Sequence, residues 1–275
     1  MSDPAALPPP RHEVVLDRDG VRIHTFTAPD AFLANSTHVI ESEQSVVVVD
    51  GQFVVPYAKA FRAYIDGLGK PIEKVYLSHG HVDHFFGLGA AFTDVPIAAP
   101  AQTVALLEES GEQMRAERAQ QYGPLVPDRI VVPRYRVTPG VEVIDGVKYE
   151  LDIVTHAECP SQLVLTLPDL AVTVVQDIVY SGAHVYVTRD TDNWISVLHR
   201  LMESASTLFL AGHGPVADRA ELQRNVDYLT FARKTFASTT DPAAFKAAML
   251  AAFPDRTGTA ILDIYVPRLY GQPGE

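Results

Sequence analysis

Hydrophobic and polar positions alternate in short runs over residues 13–50: Val14-Val15-Leu16, then 21–27, 36–40 and 45–49, separated by turn residues. Runs of this length, rich in β-branched residues, predict strands, here arranged as a β-meander. The run Val46-Val47-Val48-Val49 is apolar at every position and predicts a central strand buried on both faces. Residues 56–69 switch period, with Tyr57, Phe61, Tyr64, Ile65 and Leu68 at three- and four-residue steps, the spacing of one buried helical face. Val75-Tyr76-Leu77 predicts another strand, which passes through a tight loop into a helix start before Phe85.

Residues 102–121 are polar and Glu-rich, with Val104, Leu106, Leu107 and Met114 as the main apolar positions. They predict a solvent-facing helix interrupted near Gly111. Prolines 127, 133 and 139 bound the runs Ile130-Val131-Val132 and 141–144, which predict strands joined by turns. A second strand group is expected at 149–154, 163–167 and 171–175, the last two joined through Pro168-Asp169-Leu170 as a hairpin. Trp194, Val197, Leu198 and Leu201 predict an amphipathic helix over 192–203, followed by a short strand at 207–211 and a helical tail from Asp218 to about Phe253. Strands then helices, twice in succession, predict an α/β protein of two similar halves packed together.

Composition narrows the function. At 275 residues the chain fits one large domain, assigned to residues 13–275 behind a disordered, proline-rich lead over residues 1–12. With 47% apolar residues it has material for a sizeable core, and its net charge of −12 argues against a nucleic-acid partner and for a small-molecule substrate. The single cysteine, Cys159, precludes an intrachain disulfide framework and suits a reducing compartment. The N-terminus lacks the charged start and apolar core of a secretory signal, and no segment approaches the roughly 20 apolar residues of a membrane span. The expectation is a cytoplasmic protein without a membrane partner, compatible with assembly as a homo-oligomer.

The chemistry concentrates in His79-Gly80-His81-Val82-Asp83-His84, where three imidazoles and a carboxylate fall within six residues directly after a strand. Imidazole with carboxylate is a ligand set that zinc takes, so this loop reads as half of a metal site. Further donors are sought at strand ends. His213 follows an apolar strand between Gly212 and Gly214, and Asp177 ends the run 172–176. His156 and Glu158 stand in the turn before the strand at 163–167.

The His79-to-His84 segment resembles the signature of the metallo-β-lactamase fold hydrolases. That resemblance implies a four-layer αβ/βα sandwich with metal at the sheet edge. It also implies an orienting role for Asp50 beneath the metal histidines, His213 as the last ligand, and Asp177 as a metal-bridging carboxylate. Gln176 departs from the glycine the family usually places before that Asp. Where the family presents Gly-His-Thr-x-Gly, this chain reads Thr155-His156-Ala157-Glu158-Cys159-Pro160. His156 is the obvious substitute, but an ungapped count from 163–168 and Asp177 puts Glu158 at the family's histidine. Glu-x-Pro there resembles the alkylsulfatase branch, so Glu158 is favoured over His156, and Cys159 is left as a small buried thiol. Tyr180 stands near a lactonase-branch tyrosine that contacts the substrate carbonyl, and His184 in a following loop expected to face the cleft.

The implied activity is a zinc-dependent hydrolase with two zinc ions per chain. His79, His81 and Glu158 (or His156) would hold one, Asp83, His84 and His213 the other, with Asp177 between them. A metal-bound hydroxide would attack a small ester, lactone, thioester, amide or sulfate ester, and Asp83 would pass a proton to the leaving group. The alternative is an iron-dependent redox enzyme on the same fold.

Overall fold

The structure, a computed structural model, describes residues 7–189 and 191–271. Of the expected lead over residues 1–12, residues 1–6 lie outside the described residues; the Pro8 carbonyl accepts from Tyr57 Oη at 3.0 Å, and β1 starts at Arg11. The first half runs β1 (Arg11–Arg18), β2 (Val21–Thr27), β3 (Ser36–Glu41), β4 (Val46–Val49), α1 (Val55–Asp66), β5 (Ile72–Tyr76), α2 (Val82–Ala91), β6 (Ile97–Ala99), α3 (Ala101–Tyr122) and β7 (Tyr135–Arg136). The second runs β8 (Gly140–Ile144), β9 (Val147–Thr155), β10 (Ser161–Leu167), β11 (Val172–Tyr180), α4 (Asp192–Glu203), β12 (Leu208–His213), α5 (Arg219–Ser238), α6 (Pro242–Ala252) and α7 (Ala260–Leu269).

Among the described residues the strands form two sheets, ordered β1-β2-β3-β4-β5-β6-β7 and β12-β11-β10-β9-β8. Strands β4 to β7 pair in parallel, as do β11 and β12, while the remaining neighbours are antiparallel.

The two-residue period of a strand explains the layering. In β4, Val46 and Val48 face α1 and α2 with Phe61, Phe85 and Phe86, whereas Val47 and Val49 face the other sheet and meet Leu163, Leu165 and Val174. On the far side of the second sheet, Val164, Val175 and Phe209 pack against Trp194, Leu198, Leu229 and Leu262 of the helices. Three apolar layers thus separate helix, sheet, sheet and helix, the four-layer αβ/βα sandwich. Each buried valine of β4 contributes on the order of 1.5–3 kcal/mol of transfer free energy. Trp194 also anchors α4 by donating Nε1–H to the Ile178 carbonyl at 2.9 Å.

Three expectations need correction. Helix α3 runs unbroken through Gly111, because that glycine is buried where a Cβ would come within 2.4 Å of Ile130 Cδ1. A small residue lets Ile130 approach the helix, so its composition marks close packing rather than a break. Ile130-Val131-Val132 forms no strand and instead packs as an extended cover on the first-half core. The tail over 218–253 is two helices, because Asp241 caps a new start by accepting from the Ala243 amide at 2.9 Å, with Pro242 in the first turn.

Candidate metal centre

Five pieces of chain deliver the donors to one end of the sandwich. The loop after β5 carries His79 and His81, the start of α2 carries Asp83 and His84, and the β9–β10 turn carries Glu158. Asp177 lies on β11, and His213 ends β12. Their donor atoms fall into two groups within 4.8 Å: His79, His81, Glu158 and Asp177, then Asp83, His84 and His213. Asp177 links the two, with Oδ2 at 3.6 Å from His79 Nε2 and 3.2 Å from His213 Nε2, and Oδ1 at 3.2 Å from His84 Nε2. Asp83 Oδ2 closes the second group at 3.5 Å from His84 Nε2 and 3.4 Å from His213 Nε2.

Backbone geometry aims Asp177. Register shifts against β12 around Gln176, whose φ is +39°, mark a bulge in β11 that re-aims the following side chain. Left-handed backbone is where glycine is cheap, and Gln176 accepts the cost while using its side chain: Nε2 donates to Asp50 Oδ2. Gly212 supplies the space, since a Cβ there would lie 1.9 Å from Asp177 Oδ1.

Each buried imidazole is oriented through its other nitrogen. His84 Nδ1 lies 2.7 Å from Asp50 Oδ2, His213 Nδ1 is 2.8 Å from the Leu33 carbonyl, and His79 Nδ1 is 2.9 Å from Ser78 Oγ. A carboxylate or carbonyl accepting from Nδ1–H leaves the Nε2 lone pair free for a cation. Asp50 also accepts from Ser78 N and Ser78 Oγ, both at 2.7 Å. Tyr180 stacks on His213 at 4.7 Å between centroids and donates Oη–H to Asp177 Oδ2 at 3.0 Å. Burial, reinforced by the Asp177 charge, holds that phenol well above its ordinary pKa, so it stays a donor.

The donor set fits divalent metal. His79 Nε2, His84 Nε2, both Glu158 oxygens and Asp177 Oδ1 are buried without a hydrogen-bond partner, a costly arrangement unless a cation satisfies them. Burial holds His79 well below the ordinary imidazole pKa, in the neutral form a metal takes. Burial likewise works to lower His84, but the carboxylates of Asp177, Asp83 and Asp50 outweigh it and hold this imidazole well above the ordinary value. Burial and then the Asp177 charge push Glu158 well above the usual carboxylate range. Three buried carboxylates crowded together call for compensating positive charge.

The structure brings Glu158, not His156, to the centre. His156 is exposed at a φ of +52°, its amide turned back to the Pro160 carbonyl. His184 is not brought in either: it is buried, its Nδ1 is 3.0 Å from Tyr228 Oη on α5, and its backbone amide bonds Thr257 O. Cys159 is buried beside Ser161 O, with burial raising its thiol pKa. Sequence reasoning missed Tyr186, whose ring lies 5.7 Å from His81, and the bond from Gln176 to Asp50. The unusual residue before Asp177 was the available signal for the latter.

Above the donors opens a cavity of about 470 Å³, lined by His81, Asp83, Asp177, Tyr180 and His213 on its inner side and by residues of α3 and α7 farther out. Ile261, Ile264 and Arg268 of α7 face it, while Tyr265 is buried in the second-half core. No described helix is long and apolar enough to cross a membrane.

Comparison with known proteins agrees with this architecture. A metallo-beta-lactamase from Pontibacter korlensis superposes with a TM-score of 0.63 at 19% identity, covering 80% of this chain and 99% of its own. A beta-lactamase domain protein from Burkholderia ambifaria gives 0.63 at 17% identity, over 94% and 88%. A stereoselective inverting sec-alkylsulfatase from a Pseudomonas species gives 0.60 at 17% identity, over 90% of this chain and 48% of that longer one. At such identities the likeness is one of fold. A search of curated protein sequences finds no match. The family model of the metallo-beta-lactamase superfamily matches residues 30–230, a span from the loop before β3 into α5 that contains all seven converging donors, and the chain belongs to that superfamily.

Proposed function

We propose that this protein is a zinc-dependent hydrolase of the cytoplasm, holding two zinc ions and acting on a small ester, lactone, thioester, amide or sulfate ester. The observation that carries the reading is the set of buried, unpartnered donor atoms on His79, His84, Glu158 and Asp177, grouped with His81, Asp83 and His213, which together with Asp177 line an open cavity. His79, His81 and Glu158 would hold one ion and Asp83, His84 and His213 the other, with Asp177 shared. When bound, zinc supplies Lewis acidity, lowering the pKa of a coordinated water towards about 7 and polarising the scissile bond.

The chain's own groups do the rest. Asp50, the Leu33 carbonyl and Ser78 fix the imidazole rings, so the donors are ordered before substrate arrives. Tyr180 holds Asp177 through Oη. Asp83 lines the cavity floor and is placed to move a proton. Hydrolysis of an ester joins a water oxygen to the acyl carbon and breaks the carbon–oxygen bond to the alcohol; the proton that the water gives up passes to Asp83, which hands it to the leaving oxygen. The net charge of −12 supports a small-molecule substrate in preference to a nucleic acid.

Elemental analysis of the native protein tests the reading. About two zinc atoms per chain, with ester or sulfate ester hydrolysis lost to a chelator and restored by zinc, is the expected result. Iron as the native metal would put redox chemistry first, and failure to retain zinc after incubation would remove the hydrolase reading.

A further inference from the structure

The cavity over the metal centre has an apolar wall that metal chemistry does not require. Phe32 and Leu33 after β2, Met114 and Tyr122 of α3, and Ile261 and Ile264 of α7 surround it from three separate parts of the chain. All but Ile261 are only partly buried, so apolar surface is left facing the cavity. Tyr122 is held in place by an edge contact with Phe53, at 5.3 Å between centroids. Contiguous apolar surface open to water is unfavourable by about 25 cal/mol per Å², which a bound apolar group would recover.

Charge at the cavity selects no anion. Besides the metal donors, the charged residues lining it are Glu117 and Arg118 on α3 and Asp263 and Arg268 on α7, two of each sign. A pocket for a polyanionic substrate would carry an excess of cations, and the chain's net charge opposes such a substrate further. Arg268 also donates Nη1–H to Tyr186 Oη at 3.1 Å, tying α7 to the ring that lies over His81.

We propose that this cavity binds the apolar portion of the substrate, an alkyl or aryl chain joined directly to the bond cleaved at the metal centre. This assignment rests on the hydrolase reading for the cleavage step and on the cavity alone for binding.

Two readouts on the zinc-loaded full chain separate these parts. The first is kcat/KM for 4-nitrophenyl esters from acetate to decanoate and for n-alkyl sulfates of matching length. The second is the calorimetric affinity of the n-alkanoates butanoate, hexanoate and octanoate. Each added methylene should improve the effective headgroup series and the alkanoate affinity by about fourfold until the cavity is full. Met114→Glu and Ile264→Glu, at partly exposed positions on two different helices, should flatten both slopes.

Turnover with no dependence on chain length, or slopes unchanged in both variants, would overturn the proposal. If neither headgroup series is hydrolysed but alkanoate affinity still climbs with length and flattens in the variants, the cavity assignment stands and the ester and sulfate ester substrates are removed from the hydrolase reading. Flat alkanoate affinity with no turnover removes the cavity assignment together with those two substrate classes.

Discussion

Asp50 is the most informative single residue to perturb, because it touches no proposed metal position yet accepts four hydrogen bonds. Oδ2 receives Ser78 Oγ, His84 Nδ1 and Gln176 Nε2, and Oδ1 receives the Ser78 amide. Asp50→Asn keeps the shape but removes the charge and converts one oxygen to a donor. The amide settles with its oxygen towards Ser78 Oγ, His84 and Gln176, because the reverse orientation opposes three donors instead of one. Its NH2 then faces the Ser78 amide, leaving a buried donor unsatisfied at a cost of about 1–3 kcal/mol. The bond to His84 loses its ionic character, so Nε2 becomes a weaker donor to metal, by about 10–100-fold in affinity. Stability is measured by denaturant titration of metal-free protein and zinc affinity by competition with a chromophoric chelator. Zinc affinity within twofold of the parent, in a folded variant, would refute the argument that Asp50 tunes His84.

Gly212→Ala would drive a Cβ to 1.9 Å from Asp177 Oδ1, so at least a tenfold loss of zinc affinity is expected, read by the same competition assay. Glu158→Ala should remove metal from the group it shares with His79 and His81, whereas His156→Ala, at an exposed turn, should change stability by no more than about 0.5 kcal/mol and metal content not at all; metal per chain after dialysis decides. Zinc affinity should also fall as pH falls. The carboxylates around His84 hold its pKa well above the ordinary value against the effect of burial, so below that pKa a proton must leave for metal to bind. The expected slope is about tenfold per pH unit for each proton displaced, and affinity independent of pH between 6 and 8 would contradict it.

Much of the fold was legible because strand and helix periods are local properties. Val46 to Val49 signalled a strand buried on both faces, and the spacing of Trp194, Val197 and Leu198 signalled a buried helical face; both follow from which side chains recur on one side of the backbone. The loop from His79 to His84 was legible for the same reason, since its donors lie within a few residues and their chemistry does not depend on distant partners. The misreadings came where a residue answers to a distant neighbour. Gly111 reads as a helix break until Ile130 is seen against it. His184 reads as a cleft residue until Tyr228 is found at its ring nitrogen.

The sequence by itself determined the donor types, the strand ends that carry them, and the alternation that makes two-faced sheets. Only the tertiary structure decided convergence. Residues 79, 158, 177 and 213 meet because β5 pairs in parallel with β4, β11 pairs in parallel with β12, and the two sheets pack through Val47, Val49, Leu165 and Val174. It likewise chose Glu158 over His156, two residues apart on one turn, because the chain turns one side chain inward and leaves the other in solvent. Local pattern sets what each segment can do; register and sheet packing set which side chains share a point in space.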